Sequence, residues 1–291
     1  FTIIRHSNIY GYNDKFDIDK GHFIGSTIKK IYSLKHPYIK VFGSGKEKRD
    51  FLFIDDLINF IEKSIKNQRK QYDIFNCTYG KSYSIKEIFL TLQGEGARSG
   101  RTAVFCRFSG CNLWSGLERD RSNAICQFCD TDFVGTDGLN GGKYKNEEEL
   151  LNKIDEVWAQ PNLERKYIIL TGGEPLLQVN RALIDKLHER SYEIGIETNG
   201  TLSPPEGIDW ICVSPKANAQ LTLKTGHELK LIYPQTGLDP EEFENLSFDN
   251  FYLQPMDNEN REENVQKSIE YCTTHPRWQL SLQTHKLIGI P

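Results

Sequence analysis

The sequence predicts an α/β protein whose larger part is a partial (β/α)6-type barrel of about six parallel strands, open on one side. Three observations predict it. From residue 102 onward, short apolar runs alternate with helical patterns. One run, Tyr167-Ile168-Ile169-Leu170, is continuously apolar, as expected of a strand covered on both faces. Polar, glycine-bearing segments follow directly after the strands, where such barrels keep their sites. A smaller α/β segment, residues 1–82, precedes the barrel at 83–291.

In the first segment, residues 38–42 and Phe51-Leu52-Phe53-Ile54 predict short strands, with Gly43-Ser44-Gly45 as the turn between them. Leu57, Ile58, Ile61 and Ile65 recur at helical spacing behind the pair Asp55-Asp56, which suits a helix N-terminus. Residues 22–34 hold a second helical pattern. In the larger segment, residues 102–108 predict a strand. Asn146-Glu147-Glu148-Glu149 predicts a capping box ahead of Leu150, Leu151, Ile154, Val157 and Trp158 at helical spacing. A helix carries Leu183, Ile184 and Leu187, and another is expected near 260–272. Further strands are expected at 192–197, 209–213, 228–232, 250–254 and 279–283.

A chain of 291 residues, 38% hydrophobic and 26% charged, can bury one large core or two smaller ones. Its formal net charge of −4 gives no basic surface of the kind that neutralises phosphates, so nucleic acid is not expected as a direct partner. No apolar run approaches the roughly 20 residues that span a bilayer. The opening Phe1-Thr2-Ile3-Ile4-Arg5-His6 lacks the regions of a signal peptide. The chain does not begin with Met, and Met256 is its one methionine, so the start reads as a fragment or a processed end. Seven cysteines without a secretion signal predict a cytoplasmic protein and metal chemistry rather than disulfides.

Fourteen residues separate Cys111 from Cys126, and Cys126-Gln127-Phe128-Cys129 completes the set. Thiolates ligate both iron–sulfur clusters and structural zinc, and three cysteines alone leave both open. Zinc needs a fourth ligand, which Cys106 or a histidine would have to supply. Cys106 lies in a strand pattern on the face opposite Arg107 and is expected in the core. Cys77, Cys212 and Cys272 lack ligand spacing and are expected as buried apolar residues. Thr171-Gly172-Gly173-Glu174-Pro175, at the end of the next strand, turns the reading toward a cluster. Three thiolates leave one iron of a four-iron cluster for a ligand such as the amino and carboxylate groups of S-adenosylmethionine. Gly172 and Gly173 permit close backbone approach, and Glu174 can accept from a ligand ammonium.

Residues 1–82 resemble the C-terminal part of the extended short-chain dehydrogenases that act on nucleotide sugars, the epimerases and dehydratases. The resemblance is carried by Arg5-His6-Ser7-Asn8-Ile9-Tyr10-Gly11, by Gly43-Ser44-Gly45-Lys46, and by Arg49-Asp50-Phe51-Leu52-Phe53-Ile54-Asp55-Asp56-Leu57. It implies that the Arg-Asp-Phe region sits near a nucleotide-sugar site. The family's Gly-rich dinucleotide turn and its Tyr followed four residues on by Lys are missing, so a remnant without epimerase chemistry is expected. No Pro/Gly/Ser linker follows; Tyr83-Ser84-Ile85-Lys86-Glu87-Ile88 suits both neighbouring segments.

Residues 83–291 resemble the 7-carboxy-7-deazaguanine synthases, radical S-adenosylmethionine enzymes of the queuosine (7-deazapurine) pathway. The matching runs are Gln93-Gly94-Glu95-Gly96, Phe105-Cys106-Arg107-Phe108-Ser109-Gly110-Cys111, Cys126-Gln127-Phe128-Cys129-Asp130-Thr131-Asp132-Phe133, Glu197-Thr198-Asn199-Gly200, Ser214-Pro215-Lys216, Gln254-Pro255 and Gln283-Thr284-His285-Lys286. The fourteen-residue cysteine gap departs from the superfamily's usual three and marks one branch of this family. The resemblance implies ring contraction of 6-carboxy-5,6,7,8-tetrahydropterin to 7-carboxy-7-deazaguanine with release of ammonia, the radical being held by the cofactor. It implies a [4Fe-4S] cluster on Cys111, Cys126 and Cys129, and S-adenosylmethionine against Gly172, Gly173, Glu174, Thr198, Asn199, Ser214, Lys216 and Gln254. Mg²⁺ would sit on Thr131, and the pterin on Gln93, Glu95, Arg107, His285 and the α-carboxylate of Pro291. A homodimer and a flavodoxin-like electron donor are implied as well.

Read from the residues alone, Thr131 caps a loop, Arg107 is an inward strand charge paired with a glutamate, and His285 is a surface residue. Three other readings stand beside the resemblance. They are a radical activase, which calls for a three-residue first cysteine gap, a nucleotide-sugar binding module, and a zinc-stabilised scaffold.

Overall fold

In the computed structural model, which describes residues 2–33, 51–68, 71–77, 82–159 and 165–291, the chain divides into two units, Phe1–Lys81 and Ser82–Pro291. The first holds strands β1 (Thr2–His6), β2 (Asn8–Tyr10), β3 (Phe51–Phe53) and β4 (Asp73–Cys77) and helices α1 (Phe23–Tyr32) and α2 (Ile54–Asn67). β1 pairs in parallel with β4, and β2 with β3. Asp55 and Asp56 occupy the first turn of α2, where the helix dipole favours negative charge. Leu57 is buried with Leu52 and Cys77, whereas Ile58, Ile61 and Ile65 on the same helix are exposed. The strand predicted at 38–42, the turn at Gly43-Ser44-Gly45, and Lys46, Arg49 and Asp50 of the epimerase-like motif lie outside the described residues.

The second unit is built on one nine-stranded sheet. Its strands are β5 (Tyr83–Leu92), β6 (Thr102–Phe108), β7 (Gly142–Tyr144), β8 (Lys166–Gly172), β9 (Tyr192–Thr198), β10 (Trp210–Val213), β11 (Thr225–Tyr233), β12 (Ser247–Pro255) and β13 (Trp278–Leu280). Their order is β13-β12-β11-β10-β9-β8-β6-β5-β7. β6 and β8 to β13 run parallel and form the wall of a partial barrel; they are the strands expected from the sequence. β5 and β7, which sequence reasoning did not anticipate, add an antiparallel edge.

Among the described residues four α-helices complete the unit: α3 (Glu147–Trp158), α4 (Arg181–Glu189), α5 (Arg261–Thr274) and α6 (Thr284–Ile288). Strand and helix therefore alternate only in part. Residues 199–209 and 214–224 join β9 to β10 and β10 to β11 without a helix, and Pro204, Pro205 and Pro215 lack the backbone donors a helix would use. At the start of α3 the Asn146 side chain accepts from the Glu149 N–H at 2.9 Å. The Glu149 carboxylate in return accepts from the N–H of Lys145, one residue before the cap, at 2.9 Å.

Successive residues on a strand face opposite sides of the sheet, and here the two sides differ in kind. On the helix side Val104, Cys106, Phe108, Ile168, Leu170, Ile194 and Ile196 pack with Leu150, Leu151 and Ile154 of α3 and Leu183, Ile184 and Leu187 of α4. Full burial of a Leu or Ile side chain contributes about 1.5–3 kcal/mol. Leu229, Leu231, Phe251, Leu253 and Trp278 form a second cluster along the far strands. The intervening positions, among them Phe105, Arg107, Glu197 and Lys230, line a cavity instead. Among the described residues no helix is long and apolar enough to cross a membrane.

Candidate active site

The cavity has a volume of about 400 Å³ and opens among the loops that leave the C-terminal ends of the parallel strands. Cys111 stands three residues beyond β6, and Cys126 and Cys129 follow in the same loop; all three line the cavity. The fourteen-residue gap is closed at its neck, because the Leu113 carbonyl accepts from the N–H of Ile125 at 3.1 Å and of Cys126 at 3.3 Å. Cys126 is thereby returned to within two residues of Cys111, and the insert stands outside this short circuit. Among the described residues no three of His, Cys, Asp and Glu gather closely enough to hold a single metal ion. Three thiols sharing one cavity wall instead fit an iron–sulfur cluster, whose irons are spread over a larger body. Burial pushes the Cys126 and Cys129 thiols up, and the Lys216 ammonium opposes it at both.

The glycine pair joins this loop to β8. Gly172 has φ +123°, and a Cβ there would lie 2.2 Å from the Phe108 carbonyl oxygen; at Gly173 it would lie 2.1 Å from that of Gly110. The close approach is therefore made first to the chain itself. Gly173 N–H donates to Phe108 O at 3.1 Å and Glu174 N–H to Gly110 O at 2.9 Å. Glu174 departs from the expectation that it meets a ligand ammonium. It is fully buried behind the cavity wall, where its carboxylate already accepts from Leu176 N–H at 3.0 Å, Thr198 Oγ1 at 2.8 Å and Asn199 N–H at 2.8 Å. Burial raises its pKa, and these donors oppose the rise. Its work is to lock the ends of β8 and β9 together.

Thr198, Asn199, Ser214, Lys216 and Gln254 all line the cavity with the cysteines. Asn199 Nδ2 donates to Asn112 Oδ1 at 2.9 Å, tying β9 to the residue after Cys111. Lys216 Nζ donates to Ser214 O at 2.7 Å and Ser214 Oγ at 2.6 Å. Burial lowers the Lys216 pKa.

A buried polar network forms another wall. Lys230, whose side chain is 4% exposed, pairs with Glu95 Oε2 at 2.5 Å and Glu197 Oε2 at 3.2 Å. Gln93 Nε2 donates to Glu197 Oε1 at 2.8 Å, and Gln283 Nε2 to Glu95 Oε1 at 3.1 Å. Burial alone would raise Glu95, but Lys230, Gln283 and His285 together bring it down to about 2. Burial would lower Lys230, yet Glu197 and Glu95 hold it well above the ordinary lysine range. Sequence reasoning missed Lys230; its signal was a pair of charges, Glu228 and Lys230, alternating with Leu229 and Leu231 inside an apolar strand. Cys212, expected as an apolar residue, faces this side and donates to Glu228 Oε1 at 3.5 Å. Lys86, also missed, is 8% exposed and pairs with Asp132 at 2.9 Å and Asp137 at 2.8 Å.

Arg107 has the glutamate partner its strand position suggested, Nε donating to Glu87 Oε1 at 2.8 Å. It lines the cavity nevertheless, and its terminal guanidinium nitrogens have no hydrogen-bond partner among the described residues. His285 lies against Gly94, where a Cβ would come within 2.2 Å of Nδ1. Thr131, His285 and Pro291 complete the lining, and Thr91 Oγ1 donates to the backbone oxygen of Pro291 at 3.0 Å.

A mostly parallel partial barrel carrying three thiols and a glycine-pair turn at its strand ends defines a radical S-adenosylmethionine enzyme, and the Radical SAM superfamily model matches residues 120–275. The chain is 61% identical over 209 residues to 7-carboxy-7-deazaguanine synthase from Bradyrhizobium diazoefficiens, covering 72% of this chain and 99% of that protein. It is 56% identical over 210 residues to the enzyme of the same name from Bordetella pertussis, covering 72% and 100%. The chain belongs to the 7-carboxy-7-deazaguanine synthase family. The crystal structure of QueE from Escherichia coli matches with a TM-score of 0.52 at 27% identity, covering 70% of this chain and 95% of that one. Residues 1–78 match a different model, the NAD dependent epimerase/dehydratase family.

Proposed function

We propose that the unit Ser82–Pro291 converts 6-carboxy-5,6,7,8-tetrahydropterin to 7-carboxy-7-deazaguanine with release of ammonia, a step of queuosine biosynthesis. The observation that carries this reading is a single cavity with three thiols on one wall and Arg107 with the Glu95–Lys230–Glu197 network on another. Cys111, Cys126 and Cys129 would hold the [4Fe-4S] cluster, which together with S-adenosylmethionine supplies an organic radical able to abstract hydrogen. Gly172, Gly173, Thr198, Asn199, Ser214, Lys216 and Gln254 are the chain's groups for S-adenosylmethionine, with Glu174 acting from behind them. The Lys216 ammonium, close to two thiols and a hydroxyl, favours a ligand carboxylate beside it.

At the pterin end, Gln93 and Glu95 offer an amide and a fixed carboxylate to a ring edge of alternating donors and acceptors. The guanidinium fork of Arg107 suits the substrate carboxylate. Arg107→Met is expected to raise the pterin KM about 10- to 100-fold through loss of a charge-assisted hydrogen bond, while S-adenosylmethionine affinity stays unchanged. Equal KM values in the two proteins, measured by steady-state kinetics, would remove Arg107 from the substrate site.

Mg²⁺ is the cation of this reading, held by Thr131 against the substrate carboxylate; Asp130 and Asp132 line the same wall, and a hard cation takes oxygen ligands. EDTA is accordingly expected to depress turnover and added Mg²⁺ to restore it, whereas full activity in excess EDTA would exclude the ion. A flavodoxin-like donor and a homodimer belong to the same reading. Cluster reduction by flavodoxin and sedimentation of the full chain check them. Residues 1–82 are proposed to take no part in the chemistry, since relatives matched over 99% and 100% of their own length account for 72% of this chain. Truncation to 83–291 is expected to leave kcat/KM within about threefold of the full chain, a difference of under 1 kcal/mol in the barrier; loss of turnover would make the first unit integral.

A further inference from the structure

The insert between Cys111 and Cys126 is absent from the chemistry derived so far, although the Arg121 side chain ties it to the Cys126–Cys129 knuckle. We propose that Arg121 is the positioning residue of the cluster loop, its guanidinium clamping the Cys126–Cys129 knuckle to the insert and keeping a permanent positive charge beside the thiolates. The proposal rests on the assignment of the cluster to Cys111, Cys126 and Cys129.

Arg121 Nη1 donates to the carbonyl of Gln127 at 2.9 Å and to that of Cys129 at 3.1 Å, spanning the knuckle from its second residue to its last. Nε donates to both oxygens of Glu118, at 2.8 and 2.9 Å, so the fork is held from its other side. The guanidinium lies over the Trp114 ring, 4.0 Å from its centroid. Trp114 is itself fixed, 7% exposed and edge-on to the fully buried Phe133 with centroids 5.5 Å apart. Gln127 Nε2 adds bonds to Ser122 O at 3.1 Å and Ala124 O at 3.3 Å, so knuckle and insert are stitched in both directions.

Only a planar fork satisfies two carbonyls, a carboxylate and an aromatic face at once; a lysine at this position supplies the charge without the geometry. The same guanidinium cannot lose its proton at ordinary pH. Three thiolates brought together repel one another, and a fixed cation beside them favours the ligating state over the empty one. Net charge and hydrogen bonding around such a cluster also set its reduction potential. The insert is thus a mount for this charge, which a three-residue gap could not carry.

The test uses the full-length chain and its Arg121→Met, Arg121→Lys and Glu118→Gln variants, each reconstituted anaerobically with iron and sulfide. Iron release to a ferrous chelator, the EPR spectrum of the reduced cluster and its midpoint potential are read beside the melting temperature of the iron-free chain. R121M is expected to release iron about tenfold faster, with an altered EPR spectrum and a more negative midpoint potential, while the iron-free melting temperature holds. R121K should keep the potential near that of the unsubstituted chain yet release iron faster, and E118Q should fall between the two. Unchanged release and spectrum in R121M would overturn the proposal, as would a lowered melting temperature with unchanged cluster properties. Should R121M not fold, unchanged release in both R121K and E118Q overturns it. An unsubstituted chain that takes up no iron would overturn the cluster assignment itself, and the proposal with it.

Discussion

Cys126→Ala is expected to yield a folded chain without an iron–sulfur cluster and without turnover. The side chain lost is small, and the backbone N–H of Cys126 that closes the insert against Leu113 O remains in place. Fold and cluster are thus separable at this position. Cys111 and Cys129 would face a cluster that needs three protein thiolates, with only two to offer. Iron and acid-labile sulfide analysis, with the absorbance of the reconstituted chain, reads the outcome. Normal iron content with turnover in C126A would contradict the assignment of all three cysteines.

The second large effect is expected at Lys230. Its ammonium is the counter-charge for Glu95 and Glu197 in a setting where its own side chain is 4% exposed and theirs 14% and 24%. Glu228, buried beside it, adds a third negative group. Replacing Lys230 by Met leaves the carboxylates buried without their partner, and breaking such a pair costs about 3–5 kcal/mol. Denaturant unfolding should show that loss at pH 7, and turnover should fall because Glu95 no longer holds its place.

The pH dependence should change sign as well. In the unsubstituted chain Glu95 is held at about 2, below its ordinary 4.5. Its contribution to stability is therefore complete above about 4.5 and is lost as pH falls toward 2. Without Lys230, burial dominates and raises the carboxyl, so the folded state binds the proton more tightly than the unfolded chain does. K230M should then gain stability on acidification from pH 7 to pH 5, where this group leaves the unsubstituted chain unaffected. Equal stability of the two proteins at pH 7 would contradict the electrostatic account of this wall.

What the sequence shows plainly is what depends on local pattern. Tyr167-Ile168-Ile169-Leu170 reads as a strand because both of its faces are covered, and Asn146 reads as a cap because its partner Glu149 is three residues away. The cysteine spacing and the glycine pair likewise state their chemistry in consecutive residues. β5 escaped because a register shift between Ile85 and Glu87 breaks the two-residue period, leaving Ile85 and Lys86 buried side by side. β7 is three residues long and carries no pattern of its own. Glu174 was legible as a motif but not in its direction, because its three donors come from two segments, two of them more than twenty residues away on β9 and just beyond it. The neck of the insert was hidden for a similar reason: it is made of backbone bonds, to which side-chain identity gives no clue.

The most direct measurement is anaerobic turnover of 6-carboxy-5,6,7,8-tetrahydropterin by the full-length chain, reconstituted with iron and sulfide and supplied with S-adenosylmethionine, Mg²⁺ and a reductant. Formation of 7-carboxy-7-deazaguanine is the predicted result. No product from a chain whose cluster is shown to be loaded, and none from residues 83–291 under the same conditions, would contradict it.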